Sequence, residues 1–200
     1  MKKNLVFIAI ISIIFITGCS STRVDRIEAE DVQDLSGYWN SNDVGIIADT
    51  LVQKCVDAPA IKNYIANTGT LPVVIVGSFK NQSDEHIDTS ILSLKFESAL
   101  INSGKVDFVA SADQRQELRD ERLEQQEWAS METTSRLANE TGADFMLIGS
   151  VKTIVDARGN KTTRTYYVTA ELIDIESNIK RWQDTNSDIT KLITKAKTRF

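Results

Sequence analysis

The sequence predicts a single α/β domain, with a mixed sheet of four to five strands flanked by helices. Three observations support this fold class. Apolar residues recur at helical spacing in the first part of the chain, buried-strand patterns alternate with helical patterns in the middle, and short alternating strands separated by turns follow at the end. The 200 residues include 42% hydrophobic and 26% charged residues, which is ordinary for a globular domain of one core.

The composition also excludes several classes of protein. With 23 basic against 28 acidic residues, the chain lacks the basic field that most nucleic-acid-binding proteins carry. One His and two Cys are too few for a soft-metal cluster or a disulfide framework. The sequence contains neither a Gly-rich phosphate loop nor a serine nucleophile elbow. We therefore expect no cofactor, no metal and no nucleic-acid partner.

Residues 1–18 have the features of a lipoprotein signal peptide. Two lysines precede an apolar run of about twelve residues, which is too short to span a bilayer. The run ends in Ile16-Thr17-Gly18-Cys19, which resembles the bacterial lipobox. We therefore expect Cys19 to be lipidated (the palmitate type of modification) and to become the first residue of the mature chain.

Residues 19–34 are polar and form the expected tether to a globular domain over residues 35–200. Roughly fifteen residues of extended chain reach at most about 50 Å, so the domain stays near its membrane. Several acyl chains hold a protein stably on a bilayer. Ser20 follows the lipidated residue, and the enterobacterial sorting pattern then favours the outer membrane, with the domain facing the periplasm.

Two helices open the domain. Gly37-Tyr38-Trp39-Asn40 is an aromatic turn, and Ser41 or Asn42 can cap the helix that follows. The first helix carries one apolar stripe, formed by Val44, Ile47, Ala48, Leu51, Val52 and Cys55. This spacing predicts a buried Cys55 thiol and not a reactive one. Pro59 suits the first turn of a second short helix, which Gly69 ends.

A strand, a helix and a second strand come next. Residues 72–77 form a continuous β-branched run that suits a central strand buried on both faces. A polar loop over residues 80–86 leads to a helix that starts near Thr89, and Asn102-Ser103-Gly104 stops that helix. Residues 106–110 are predicted to form the second short strand.

A long helix over about residues 112–139 has two halves of different character. The first half is polar nearly all round, so we expect it to protrude, whereas the second half regains apolar residues and should dock. Arg115, Arg119 and Arg122 lie on roughly one side of the first half. They are candidates for a partner-binding surface, because the guanidinium group binds carboxylates with two hydrogen bonds. The alternative is a solvated face with ion pairs inside the helix.

The C-terminal third predicts an antiparallel meander. Strands are expected over residues 144–156 and 165–175, joined by a turn in which Gly159 and Asn160 supply positive φ. A last strand begins at 179–182, and residues 189–200 either end that strand or form a basic helix. Tight turns and close packing explain Gly142 and Gly149 better than phosphate binding does.

One loop combines the single His with carboxylates, in Asp84-Glu85-His86-Ile87-Asp88. A metal or acid–base site would need these side chains to converge, and no second His is available. The other interpretations are hydrogen bonding to a helix N-terminus and a partner-contact loop that includes Glu85 and His86. Tyr38 and Trp39 either cover the edge of the core or form an exposed aromatic anchor.

Several segments together resemble the LpoB family of lipoprotein activators of penicillin-binding proteins. In addition to the lipobox, they are Gly37-Tyr38-Trp39-Asn40 and residues 72–77, 81–89, 103–109, 115–122 and 142–149. The likeness covers nearly the whole mature chain and is nearest to the short-tethered branch of the family. The order of strands and helices is also similar to TolB N-terminal and CsgG-type domains.

The resemblance implies a regulatory protein of cell-wall synthesis and not an enzyme. Its partner would be a peptidoglycan synthase, a class A penicillin-binding protein, bound from a lipid anchor in the outer membrane. The candidate contact residues are Tyr38, Trp39, Glu85, His86, Arg115, Arg119 and Arg122. Enterobacterial members have a long Pro-rich tether, which this chain lacks. The alternative is a structural or assembly lipoprotein that self-associates or serves a secretion complex.

Overall fold

The computed structural model describes residues 34, 36–110, 114–121 and 142–196. The helices are α1 (Ser41–Val56), α2 (Pro59–Thr68), α3 (Thr89–Ser103) and α4, over residues 114–121. The strands are β1 (Val73–Gln82), β2 (Asp107–Phe108), β3 (Phe145–Arg158), β4 (Lys161–Asp174), β5 (Lys180–Asn186) and β6 (Thr190–Thr194). The expected signal peptide, the lipidated Cys19, most of the tether and the second half of the long helix lie outside the described residues.

The strands form one six-stranded mixed sheet in the order β2-β1-β3-β4-β5, with β6 also paired to β4. β1 is parallel to both β2 and β3, and the pairs β3–β4, β4–β5 and β4–β6 are antiparallel. This confirms the predicted fold class. The sheet has more strands than expected because residues 190–194 form a separate strand on β4 and not a terminal helix.

The helix boundaries follow from local chemistry. Asn40, and not Ser41 or Asn42, is the N-cap of α1. Its side chain accepts the backbone N–H of Asp43, and the Asp43 side chain accepts the backbone N–H of Asn40. Asp88 caps α3, and Gly69 and Gly104 end α2 and α3 with φ of 72° and 63°. The predicted stripe of α1 is buried, so the expectation of a buried Cys55 thiol is confirmed, and burial raises the pKa of this thiol to about 12.

β1 is longer than predicted and is interrupted by an irregularity between Val76 and Phe79. Residues 80–82 were expected to be loop, but they pair with residues 150–152 of β3. The extra residue brings both Val76 and Phe79 toward the core, where the Phe79 ring lies 4.6 Å from that of Phe96. Of residues 72–77, which were expected to form a strand buried on both faces, only Pro72 and Val74 are buried, so that expectation is wrong.

Gly149 lies opposite this irregularity and is required by close packing. A Cβ there would be 2.3 Å from both the Phe79 ring and the Thr169 carbonyl oxygen. At Gly142 nothing lies within 4 Å of the corresponding position, so close packing does not explain that glycine. In the β3–β4 turn only Gly159 has positive φ, and the same expectation for Asn160 is wrong.

The core lies between α1, α3 and one face of the sheet. Residues that are wholly buried on the central strands include Val74, Leu147, Val168 and Leu172. β3 and β4 continue as a long hairpin past the end of β1. None of the helices in the described part of the chain is long and apolar enough to cross a membrane.

Candidate functional site

A buried lysine fastens the start of the domain to the sheet. Lys191 on β6 is 7% exposed, and its Nζ lies 2.6 Å from Asp43 Oδ2 and 2.9 Å from Asp34 Oδ1. The same amine donates to the Tyr38 carbonyl at 2.8 Å. Burial lowers the pKa of Lys191, but the hydrogen bonds to both aspartates outweigh it and raise the pKa. The amine therefore remains a cation that holds the first described residues in place.

A buried arginine next to this lysine organises the acidic loop. Arg164 on β4 has Nη2 at 2.7 Å from Asp84 Oδ2 and Nη1 at 3.0 Å from Glu85 Oε1. The Gly37 carbonyl also accepts from Nη1, at 3.3 Å, and the guanidinium carbon lies 4.9 Å from the centre of the Tyr38 ring. The sequence singled out the loop but not Arg164, which neutralises it.

Glu85 has the most enclosed carboxylate of the loop. Its carboxylate accepts hydrogen bonds from the Tyr166 hydroxyl at 2.5 Å and from the backbone N–H of Trp39 at 3.1 Å, in addition to the Arg164 contact. The Tyr166 side chain is fully buried, 5.1 Å from the Trp39 ring. Burial, followed by the hydrogen bond to Glu85, raises the pKa of Tyr166, so the hydroxyl remains a donor. Glu85 is therefore held in place by contacts within the protein, and its contact with a partner stays a prediction.

The rest of the loop separates into structural and exposed residues. Asp88 accepts the N–H of Ser90 at 3.0 Å and caps α3, and Ile87 is buried. His86 is exposed. Among the residues that the structure describes, no group of three or more His, Cys, Asp or Glu side chains could hold a metal ion. Helix capping by Asp88 is thus observed, and partner contact through Glu85 and His86 stays a prediction.

A groove of about 570 Å³ runs between the aromatic turn, the acidic loop and the first turns of α1 and α3. It is lined by Tyr38, Trp39, Asn40, Ser41, Val44, residues 84–88 and Ile91. Four of the predicted contact residues therefore line one depression. Tyr38 is 56% exposed, as expected of an aromatic anchor. Trp39 is half-buried against the core, as expected of a residue that covers the core's edge.

An apolar row on α3 continues from this groove. Ile91, Leu94 and Ile101 point away from the core and are 51%, 64% and 49% exposed. Positions three and seven residues apart lie on the same helix face, so these side chains form one stripe, which we call the α3 stripe. α3 is therefore apolar on two faces, because Leu92, Phe96 and Leu100 on its other side are buried. A second apolar face of this kind is typical of a protein contact surface.

The predicted arginine surface is described only in part. Arg115 is partly buried, and its Nη1 donates to the Ala110 carbonyl at 2.8 Å, so it ties α4 to the end of β2. Arg119 is exposed. Arg122 lies outside the described residues, as does the lipidation site Cys19. A shared face for the three arginines stays a prediction.

Sequence reasoning missed the two buried cations, but a signal for both was present. Arg164 stands in the alternating series that buries Tyr166, Val168, Ala170 and Leu172 on β4. Lys191 stands in the same way between Ile189 and Ile193, which are both partly buried. A cation at a core-facing position needs a buried anion, and the acidic loop together with Asp43 supplies it.

A family model matches most of the chain. The family model described as peptidoglycan-synthase activator LpoB matches residues 43–187, well over half of the chain. No curated protein matches the chain.

Three similar solved structures illustrate the likeness. The LpoB C-terminal domain from Salmonella enterica is 18% identical, with 76% of this chain and 99% of that chain covered and a TM-score of 0.43. The LpoB C-terminal domain from Escherichia coli is 17% identical, with 72% and 96% covered and a TM-score of 0.43. Lipoprotein GNA1162 from Neisseria meningitidis is 16% identical, with 62% and 84% covered and a TM-score of 0.38.

Proposed function

This chain belongs to the LpoB family, and from that premise we propose that it is a lipid-anchored regulator that binds and stimulates a peptidoglycan synthase. The synthase would be a class A penicillin-binding protein. The observation that carries the proposal is the family match over residues 43–187, which spans the domain from α1 to the end of β5. The family is one of regulatory activators of cell-wall synthesis and not of enzymes.

The groove and the α3 stripe are the contact surface that we assign to this function. Tyr38, Ile91 and Leu94 are each more than half exposed and follow one another along one side of the molecule. Their surroundings are rigid, because Arg164 and Lys191 hold the neighbouring backbone through buried ion pairs. A preorganised apolar surface loses little conformational entropy when a partner binds.

The tether joins the domain at this surface. Asp34, the last residue of the predicted tether, bonds to Lys191 and to the side chain of Asn40, and Asn40 lines the groove. If Cys19 carries the acyl chains, the groove lies at the end of the domain to which the membrane anchor is connected. With a tether of about 50 Å at most, this placement favours a partner that comes close to the same membrane.

The first experiment is a crosslinking pull-down with the acylated protein in its native membranes, read by mass spectrometry. We expect enrichment of a class A penicillin-binding protein. A Cys19→Ser chain should lose the acyl chains and leave the membrane fraction. If only the chain itself or other outer-membrane components are enriched, synthase activation is wrong and the self-associating assembly protein becomes the leading interpretation.

A matched pair of variants then tests the surface. Ile91→Glu places a carboxylate on the exposed apolar row, and Ile179→Glu makes the same change at a residue of nearly equal exposure, 51% against 49%. Ile179 lies beside Asp174, at the other end of β4 from the acidic loop. We expect the Ile91 variant to bind the purified synthase about tenfold or more weakly, since central apolar contacts dominate interface energies, and the Ile179 variant to bind normally. Equal binding by both variants would exclude the groove but leave the function intact.

A further inference from the structure

Among the residues that the structure describes, the last six residues of β3 have a strand neighbour on one side only. β1 pairs with β3 as far as Gln82 opposite Lys152, whereas β3 continues to Arg158 against β4. Residues 154–158 are all exposed, including Ile154 at 59% and Val155 at 43%. We call residues 153–158 the β3 edge.

The backbone of the β3 edge presents unpaired hydrogen-bonding groups to solvent. Tyr166 lies opposite Thr153 and donates its N–H to Ile189, on the side of β4 that faces away from β3. Hydrogen-bonded and non-bonded pairs alternate along an antiparallel ladder. The N–H and C=O groups of Thr153, Val155 and Ala157 therefore point away from β4, toward the open edge. A strand placed there would find the donors and acceptors that β1 uses farther along β3.

This edge is less protected than the other edges of the described sheet. Proteins discourage unwanted pairing with Pro, Lys, bulges or very short edge strands. β2 has two residues, β5 begins with Lys180-Arg181, and β6 carries Lys191. The β3 edge has neither Pro nor Lys and presents two β-branched apolar residues. An exposed edge that offers free backbone donors and acceptors is the geometry that extended peptides use when they add to a sheet.

A second copy of this chain fits the edge poorly. Two-fold symmetric pairing is antiparallel, and the outward-pointing residues of the two copies must face one another. If Val155 pairs with Ala157 of the second copy, the two Asp156 residues lie opposite each other. If Val155 pairs with Val155 of the second copy, Lys152 of one copy lies opposite Arg158 of the other. Both arrangements put like charges directly opposite each other, which is destabilising. The remaining registers form few bonds, because those centred on Thr153 or Ile154 run into β1, which already pairs with Lys152, and the one centred on Ala157 runs into the turn after Arg158.

We propose that the β3 edge receives an extended segment of the partner protein as an additional strand, in the position that β1 leaves vacant. This rests on the proposed function, because the partner is the synthase. On one face the incoming strand would place an apolar side chain beside Ile154, a basic one beside Asp156 and an acidic one beside Arg158. The edge is continuous with the groove, because the Thr153 hydroxyl donates to Asp84 Oδ1 at 2.6 Å and Asp84 lines the groove.

The test compares Val155→Pro with Val155→Thr in the acylated full-length protein. Proline removes the outward N–H and is tolerated at edge positions whose N–H faces solvent, so the β3–β4 ladder keeps its bonds. Threonine keeps both the N–H and the branched shape. With the purified synthase as the probe, we expect the Pro variant to bind about tenfold or more weakly and the Thr variant to bind normally, as the loss of edge hydrogen bonds predicts.

Amide hydrogen exchange supplies a direct readout of strand addition. In the wild-type complex, the amides of Val155 and Ala157 should become protected, whereas those of Ile154 and Asp156 already bond to β4 and should change little. Thermal unfolding of each variant checks that the hairpin is intact. If the Pro variant unfolds at a lower temperature than the wild-type chain, the exchange measurement alone decides.

Each other outcome overturns the proposal in a recognisable way. If all three proteins bind the synthase equally and Val155 stays unprotected, strand addition is wrong and the proposed function stands. If the wild-type chain does not bind the synthase, the proposed function itself fails, and this inference fails with it. If light scattering shows a dimer that the Pro variant abolishes, the occupant of the edge is a second copy.

Discussion

At the residue scale, two buried cations determine the shape of the candidate site. Lys191 and Arg164 are 7% and 8% exposed, and each contacts two carboxylates. The Nε atom of Arg164 is buried without a hydrogen-bond partner in the described structure, which leaves one donor of that side chain unsatisfied. Charges at such positions fix the backbone around them, because moving either partner would leave the other buried and unpaired.

Replacing Lys191 tests this role. Lys191→Met should destabilise the domain by about 3–5 kcal/mol, since Asp43 would remain buried without its cation. The measurement is the free energy of unfolding in denaturant. Lys180→Met is the control, because the Lys180–Glu171 pair is partly exposed and such pairs contribute no more than about 1 kcal/mol. Equal effects of the two substitutions would show that burial of Lys191 does not matter.

The residue scale also shows where sequence reasoning about the site succeeded and where it failed. Tyr38, Trp39, Glu85 and His86 were selected from the sequence as separate candidates, and the fold brings them to one groove. Their individual roles could not be read from the sequence, because the partner of Glu85 is Arg164, 79 positions away on another strand. Residue type and local spacing identify chemistry, but long-range contacts decide whether that chemistry is available.

At the element scale, the irregularity in β1 sets the geometry of the sheet. It inserts one residue before Phe79 and lets that ring lie over Gly149 in the core. The strand then continues to Gln82, so the acidic loop starts at the end of β1 beside Thr153. A regular strand would have directed Phe79 to the opposite face, because side chains alternate along a strand.

Two glycine substitutions test this packing with opposite expected signs. Gly149→Ala should cost about 1–3 kcal/mol, because the new methyl group would meet the Thr169 carbonyl oxygen and the Phe79 ring. Gly45→Ala lies within α1, where nothing is within 4 Å, and should stabilise the domain by about 0.5–1 kcal/mol. Thermal or denaturant unfolding measures both changes. A neutral Gly149→Ala variant would mean that the irregularity adapts to the added methyl group.

At the scale of the whole molecule, ionised carboxylates contribute to stability in several places. The pKa is lowered below its ordinary value, chiefly by a hydrogen bond to the carboxylate, for Asp34, Asp57, Asp84, Asp88, Asp174 and Asp184. For Asp174 the N–H of Ser177, followed by Arg181, lowers the pKa to about 2. These groups connect elements as well as turns, since Asp184 pairs with Lys54 and Asp57 with Lys105.

The domain should therefore lose stability in acid. A carboxylate whose pKa is lower in the folded than in the unfolded state stabilises the fold above the unfolded value, near 3.8, and this contribution disappears as the pH falls through the folded value. We expect the denaturant midpoint to be level near neutral pH and to fall between about pH 5 and pH 2. Asp174→Asn should flatten the lower part of this curve. A midpoint that does not change down to the lowest pH would contradict the assignment of these hydrogen bonds.

Local sequence features were sufficient for the fold class, the order of helices and strands as far as β5, the ends of α2 and α3, and the burial of Cys55. These features depend on periodicity, on glycine at left-handed positions and on proline at a helix start, all of which act over a few residues. The sequence also carried the family resemblance, which the match over residues 43–187 confirms.

Long-range contacts set four other features: the pairing of β6 with β4, the irregularity in β1, the neutralisation of the acidic loop and the exposure of the β3 edge. Each of these depends on segments that are far apart in the chain. Short strands and buried ion pairs have weak local signals, because their stability comes from partners that the fold supplies. The helices and turns could be predicted for the opposite reason, since the residues that define them are neighbours in the sequence.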